Sequence, residues 1–149
     1  MTGWLRRRRD RRDRGSISVE LAILLPGFVY LIVLAVVTGR QVMAQGAIDL
    51  AAHDAARAAS LSRTAPLAQT RARAAALDTL AQQGLACNQL TVTVNTAGFA
   101  VPVGTPASVS VTVVCHVSFA DLAALPGVPG GRTLTASFVS PLDEYRART

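Results

Sequence analysis

The feature that most constrains this chain is an uncharged run near its start. Residues 21–37 read LAILLPGFVYLIVLAVV, which is seventeen residues without one charged side chain. As a helix, this run spans about 25 Å, and its apolar and small neighbours bring it close to the roughly 30 Å of a bilayer's hydrocarbon core. The run therefore predicts one membrane-spanning helix, and Pro26 is expected to kink that helix without ending it.

Positive charge is concentrated ahead of the apolar run. Residues 1–15 hold seven arginines and two aspartates and supply +5 of the chain's net charge of +6. Arginines beside a membrane helix favour a cytoplasmic location, so everything after about Gly39 is expected to be exported. The arm is interpreted as a cytoplasmic leader that also meets anionic lipid, and nucleic-acid binding is not expected.

Two exported helices are predicted after the membrane segment. Residues 40–62 contain no proline and are expected to extend the membrane helix. Their predicted packing seam consists of Val42, Ala47, Ile48, Ala51, Ala55 and Ala59. A second helix is predicted over residues 66–83, with Thr64 as its N-cap and Gly84 as its C-terminal stop.

Beyond Gly84, apolar and polar residues alternate with the period of two that is typical of half-buried strands. Residues 90–95 and 108–119 are predicted to pair as an antiparallel hairpin, and residues 133–140 are expected to complete a small sheet. Between the last two strands, we expect one helical turn at residues 122–125 and a loop at residues 125–131.

The predicted organisation has four parts. These are a basic cytoplasmic leader at 1–15, a transmembrane helix at 16–39, exported helices at 40–83 and a small β-rich region at 84–149. Only one ordinary domain fits in the exported part. The predicted fold class is α+β.

Glu20 calls for a physical reason, because it lies between Val19 and Leu21 at the head of the apolar run. A carboxylate in lipid is costly and marks a functional position by default. Two simpler explanations stay open. The side chain is solvated among the lipid headgroups, or it lies in the first turn of its helix, where the helix dipole favours an anion.

The residues around Glu20 carry a family resemblance. RGSISVELAILLPGF, at residues 14–28, resembles the opening of the TadE-like and TadF-like proteins of tight-adherence pili, which are related to type IV pilins. The later AAHDAARAAS and the short β-rich tail are also similar to that group. The resemblance implies a pilin-like fold and cleavage by a prepilin peptidase between Gly15 and Ser16. Glu20, then the fifth mature residue, would pair with the new N-terminal amine of a neighbouring subunit.

Two departures from the major pilins qualify this resemblance. Leu21 stands where major pilins often have an aromatic residue, and the chain is longer than the very short major tight-adherence pilins. Both departures favour a minor pilin or pseudopilin, which is a structural or assembly component and not an enzyme. The implied partners are the lipid bilayer, the prepilin peptidase, other pilin-like subunits and the pilus assembly platform. No cofactor is implied.

The two cysteines, Cys87 and Cys115, are expected to form a disulfide if residues 40–149, the body of the protein, are exported, since that location permits oxidation. Two buried thiols are the alternative. A zinc site formed with His53 and His116 is rejected, because there is no C-x-x-C pair and adjacent residues on a strand point to opposite faces. Asp49 and His53, four apart on a helix, predict a surface hydrogen bond and not an acid–base pair.

Two other functions compete with the pilus interpretation. In the first, residues 1–44 are a secretory signal cleaved after Ala44, with Arg11 and Arg12 loosely resembling a twin-arginine signal, and the product is a soluble binding module. In the second, the chain is a membrane-anchored enzyme or nucleic-acid binder. The body offers no catalytic constellation for an enzyme. The position of cleavage distinguishes these functions.

Overall fold

The computed structural model describes the backbone of residues 6–118 and 130–145, and the side chains of residues 19–118 and 130–145. The elements in chain order are α1 (Arg6–Ser60), α2 (Ala65–Gln82), β1 (Gln89–Asn95), a 3-10 turn (Ala97–Ala100), β2 (Ala107–Ser118) and β3 (Gly131–Leu142). The predicted α+β class is confirmed. The helical turn predicted at residues 122–125 lies outside the described residues, as does most of the predicted loop. The chain divides into two compact units, Met1–Gln41 and Val42–Thr149.

The first unit is occupied by the N-terminal part of α1, which continues through Pro26. Most large apolar side chains from Val19 to Val36 are exposed, with Ile23 reaching 71%. Soluble monomers rarely present so large an apolar surface to water. From Val19 onwards α1 is long and apolar enough to cross a membrane. This part of the helix therefore fits a membrane anchor.

The second unit is built on alanine. The buried face of α1 there consists of Ala44, Ala47, Ile48, Ala51, Ala52, Ala55, Ala56 and Ala59. The buried face of α2 consists of Ala68, Ala72, Ala76, Thr79 and Leu80. On both faces small side chains recur at spacings of three and four residues. The predicted packing seam is confirmed except at Val42, whose side chain is 67% exposed. The buried face of the helix begins at Ala44 instead.

Helix α2 has the ends that its sequence predicts. Thr64 is the N-cap, and its Oγ1 accepts a hydrogen bond from the Leu67 backbone N–H at 3.4 Å. Pro66 occupies the first turn, where a missing N–H costs nothing. Gly84 follows the C-terminus with φ +67°, a conformation that side chains with a Cβ disfavour.

The sheet has the order β1-β2-β3, with both neighbouring pairs antiparallel. Its inner face carries buried residues of the two longer strands, which are Val109, Val111, Val113, Cys115, Val117, Leu134, Ala136 and Leu142. These side chains belong to the same core cluster as the helix alanines. The outer face carries mostly serine and threonine, together with the exposed Val139, and the Thr112 and Ser137 hydroxyls there are 3.1 Å apart. The predicted hairpin of the first two strands is confirmed.

A disulfide links Cys87, just before β1, to the fully buried Cys115 in the central strand. The two Cα atoms are 5.5 Å apart, and 28 positions separate the residues in sequence. In the chain-entropy account, closing a loop of this length stabilises the fold by about 3–4 kcal/mol. The bond therefore fixes the segment after α2 onto the middle of the sheet.

Oxidation is expected to contribute measurably to the stability of the body. Reducing the Cys87–Cys115 bond in the full-length protein should lower the free energy of unfolding by about 3–4 kcal/mol, because the unfolded chain regains its loop entropy. Urea unfolding in detergent micelles, with and without a reductant, measures this. The matched control is Cys87→Ala/Cys115→Ala, whose stability should not respond to the reductant. Equal stability of oxidised and reduced wild-type protein would contradict the assignment.

Gly98 in the 3-10 turn has no room for a side chain. A Cβ there would overlap the backbone oxygen of Ser108 in β2 and lie 3.0 Å from Leu142 Cδ1. We expect Gly98→Ala to destabilise the body by about 1–3 kcal/mol, since the obstructing oxygen belongs to a strand. Gly46→Ala is the control, because a Cβ at that helical position meets nothing within 4 Å. Thermal unfolding should rank Gly98→Ala well below both the control and the wild-type chain, and equal midpoints would refute the close approach.

Candidate processing and assembly site

The predicted cleavage point lies inside a helix. Gly15 and Ser16 both belong to α1, nine and ten positions after its start at Arg6. Their side chains are outside the described residues. The peptide bond between them joins the arginine-rich arm to the apolar segment, so cutting it would separate nearly all of the chain's net charge from its membrane helix.

Glu20 is exposed among apolar neighbours, with Val19 at 61% and Leu21 at 59% exposure. No ion pair or side-chain hydrogen bond joins it to another side chain that the structure describes. The first-turn explanation is wrong for the uncut chain, because α1 begins fourteen residues earlier, at Arg6. The N-terminal dipole of α1 acts only over the first turn and does not reach Glu20.

Cutting after Gly15 would change this electrostatic setting. A helix that begins at Ser16 leaves its first four backbone N–H groups without partners and adds a terminal ammonium. Glu20 then lies just over one turn from the new N-terminus, about 6 Å along the axis from the new amine. An anion at this place is favoured by the dipole and by the ammonium charge. In lipid, both charges gain most when each meets an opposite charge.

The body holds a polar link that the sequence did not predict. Thr79 of α2 donates from Oγ1 to Asp54 Oδ2 of α1 at 2.9 Å, and His53 Nδ1 lies 3.3 Å from the other carboxylate oxygen. The prediction of a hydrogen bond between Asp49 and His53 is wrong, because the Asp49 carboxylate instead accepts a hydrogen bond from Gln45 Nε2 at 3.1 Å. His53 also makes an edge contact with Phe138. The link joins residues 25 positions apart on different helices, so no local pattern signals it.

The residues considered for a zinc site are used otherwise. Both cysteines are in the disulfide and cannot act as thiolate ligands. His116 Nδ1 lies 2.7 Å from Thr133 Oγ1 on the outer face of the sheet. Among the side chains that the structure describes, no group of three or more histidine, cysteine or carboxylate residues is placed to hold a metal ion.

An open groove follows the junction of α2 and β1. Its larger section, about 650 Å³, is lined by Gln69, Thr70, Arg73, Ala74, Leu77, Val92, Thr93 and Val94. A section of about 400 Å³ continues past Leu77 towards Cys87. In the larger section aliphatic and polar side chains contribute equally, and Arg73 is the one cation among them.

Comparison with known proteins gives one match. Residues 15–57 match the family model described as TadE-like protein. No curated protein and no solved structure matches the chain. The matched range begins at Gly15, contains Glu20 and the whole apolar segment, and ends at the exposed Arg57, in the part of α1 that carries the alanine face. The resemblance to the TadE-like family is therefore confirmed, and residues 15–57 are the TadE-like part of this protein.

Proposed function

We propose that this protein is a minor pilin or pseudopilin, a structural or assembly component of a tight-adherence, type IV-like pilus. The observation that carries the proposal is the TadE-like match beginning at Gly15, together with an exposed apolar helix that has a carboxylate at its head. The protein is a substrate of a prepilin peptidase and not itself an enzyme.

The proposed topology has one membrane span. The arginine arm lies in the cytoplasm, the segment from Val19 crosses the bilayer, and the unit from Val42 onwards is exported. Two features support export of the body. Its disulfide belongs to an oxidising compartment, and it rests on a small alanine-rich core that gains from a covalent cross-link.

The proposed mechanism has two steps. Cleavage between Gly15 and Ser16 removes the arginines that hold the leader at the cytoplasmic surface and creates an ammonium at Ser16. The Glu20 carboxylate of one copy then meets the ammonium of a neighbouring subunit among apolar helices. The pair forms because each charge alone would be costly in lipid, which makes it a condition of assembly.

The secreted-module alternative is less consistent with the fold. A cut after Ala44 would fall inside α1 and remove Ala44, which is buried in the core cluster of the body. The product would begin within the same helix whose alanine face supports the sheet. We therefore retain the membrane-anchored, pilus-associated function.

The role of Glu20 predicts a separation of insertion from assembly. Glu20→Ala should insert normally, since it removes a charge from the apolar segment, but it should reduce surface pili at least about tenfold by leaving an ammonium unpaired. Ile23→Ala, at another exposed position of the same segment, is the control and should assemble. Membrane fractionation and pilus counts by electron microscopy measure the two properties. Normal piliation of Glu20→Ala would remove the role assigned to this carboxylate.

The role of Gly15 predicts a block in processing. Gly15→Leu places a large side chain at the proposed cleavage point and should retain the leader with its +5 charge. Gly39→Leu is the control, because a Cβ at Gly39 meets nothing within 4 Å and that residue lies far from the cut. Intact mass measurement on the purified variants reports leader removal. Efficient removal from Gly15→Leu would place the cut elsewhere.

A further inference from the structure

We propose that the exported bodies associate head to tail, with the β3 edge of one copy beside the β1 edge of the next, so that the sheet continues from copy to copy. This contact goes beyond the proposed processing and charge pairing and does not depend on either. Its partner is a second copy of this chain.

Both outer edges of the sheet lack a neighbouring strand among the described residues. The order β1-β2-β3 leaves β1 without a strand on one side and β3 without a strand on the other, although the Thr135 backbone oxygen in β3 already accepts a hydrogen bond from Gln45 of α1. The 12-residue β3 pairs with β2 in unbroken register from Gly131 to Leu142 and carries no charged residue after Arg132. Long uncharged edges without bulges are surfaces on which further strands pair.

The strand directions favour a head-to-tail contact. Since β1 and β3 are each antiparallel to β2, they run in the same direction. Placing a second copy beside the first by translation therefore brings its β3 alongside β1 as a parallel neighbour, with the inner faces on the same side. A two-fold pairing of β3 with β3 would instead make the two β3 strands antiparallel, so that the two copies point in opposite directions.

The groove at the β1 edge has room for side chains of the incoming β3. Leu77 of α2 is 47% exposed in this groove, above the half-buried Val92 and Val94. In the sheet register Val94 is level with Val111, and Val111 is level with Phe138. Phe138 is 40% exposed at the opposite edge. The translated Phe138 therefore reaches the groove beside Val94.

The charges beside the two edges are complementary. Arg73 lines the groove at the β1 edge. At the β3 edge, α1 lies close enough for Gln45 Nε2 to donate to the Thr135 backbone oxygen at 3.4 Å, and Gln45 also binds Asp49. Asp49 is exposed one turn after Gln45. Head-to-tail pairing brings Arg73 of one copy towards Asp49 of the next, whereas two-fold pairing of β3 with β3 brings two Asp49 residues together.

Cysteine cross-linking of the full-length protein in native membranes tests this arrangement. Thr93, Thr112 and Ser137 form one row across the outer face. Within one chain, two strand spacings of about 4.8 Å each separate Thr93 from Ser137. That separation is too large for a disulfide inside one copy. Thr93→Cys/Ser137→Cys should therefore give a ladder of covalent dimers and higher species under mild oxidation.

The single variants and a matched pair complete the test. Thr93→Cys alone and Ser137→Cys alone should stay monomeric, as should the control Ser108→Cys/Ser137→Cys, in which one cysteine lies on the central strand. Dimers of either single variant would overturn the proposal in favour of two-fold pairing. Three double variants, in which Ser137→Cys is combined with Thr91→Cys, Thr93→Cys or Asn95→Cys, sample neighbouring registers of the contact. If none of the three forms cross-links, the proposal is also overturned.

A charge exchange tests the contact independently of cysteine reactivity. In the Thr93→Cys/Ser137→Cys background, Arg73→Glu should lower the cross-linked fraction about two- to fivefold, which is the range expected for an exposed ion pair. Adding Asp49→Arg should restore it. A fraction unchanged by Arg73→Glu would contradict the proposed pairing. N-terminal processing, read from intact mass, should be unchanged in all of these variants, so the test separates this contact from the proposed processing.

Discussion

The fold depends on helix α1, which exposes large apolar side chains in its first part and buries small side chains in its last part. From Val19 to Val36 most of its large apolar side chains are exposed, which fits a membrane anchor. From Ala44 to Ala59 the same helix presents a face of small residues that are almost fully buried. Backbone hydrogen bonding continues through both parts, so the change of environment is made by side chains alone. The TadE-like match at residues 15–57 includes residues of both parts.

Alanine explains why the body needs further support. An alanine face buries little area for each residue, and the largest fully buried side chains include only Ile48 and the residues of β2. The disulfide and the Thr79–Asp54 hydrogen bond add cross-connections that do not depend on bulk. Such a body remains small and presents two strand edges, which suits a component that acts among neighbours more than an isolated catalyst. The polar outer face, with its paired hydroxyls, keeps the sheet compatible with water.

Much of this fold could be predicted where local chemistry decides it. Thr64, Pro66 and Gly84 signal the ends of α2 by capping and backbone preference, and alternation signals the strands. Which residues of α1 face the core is harder to predict, because alanines occur on several sides of the helix. The sequence favours Val42 for the buried face, whereas in the structure Ala44 is buried and Val42 is exposed. The first-turn expectation for Glu20 fails in the uncut chain because α1 already begins at Arg6, in an arm whose arginines are good helix formers. The Thr79–Asp54 bond and the groove beside β1 arise from tertiary packing and have no local signature.

Cleavage between Gly15 and Ser16 is the central claim, since it creates the amine that gives Glu20 its proposed role. The most direct measurement is N-terminal sequencing of the wild-type protein purified from membranes of its native host. The account predicts a sequence that starts at Ser16 and reads SISVEL. An intact arginine leader would contradict prepilin-type processing and leave a signal-anchored envelope protein. A start at Gln45 would contradict it in favour of a secreted module.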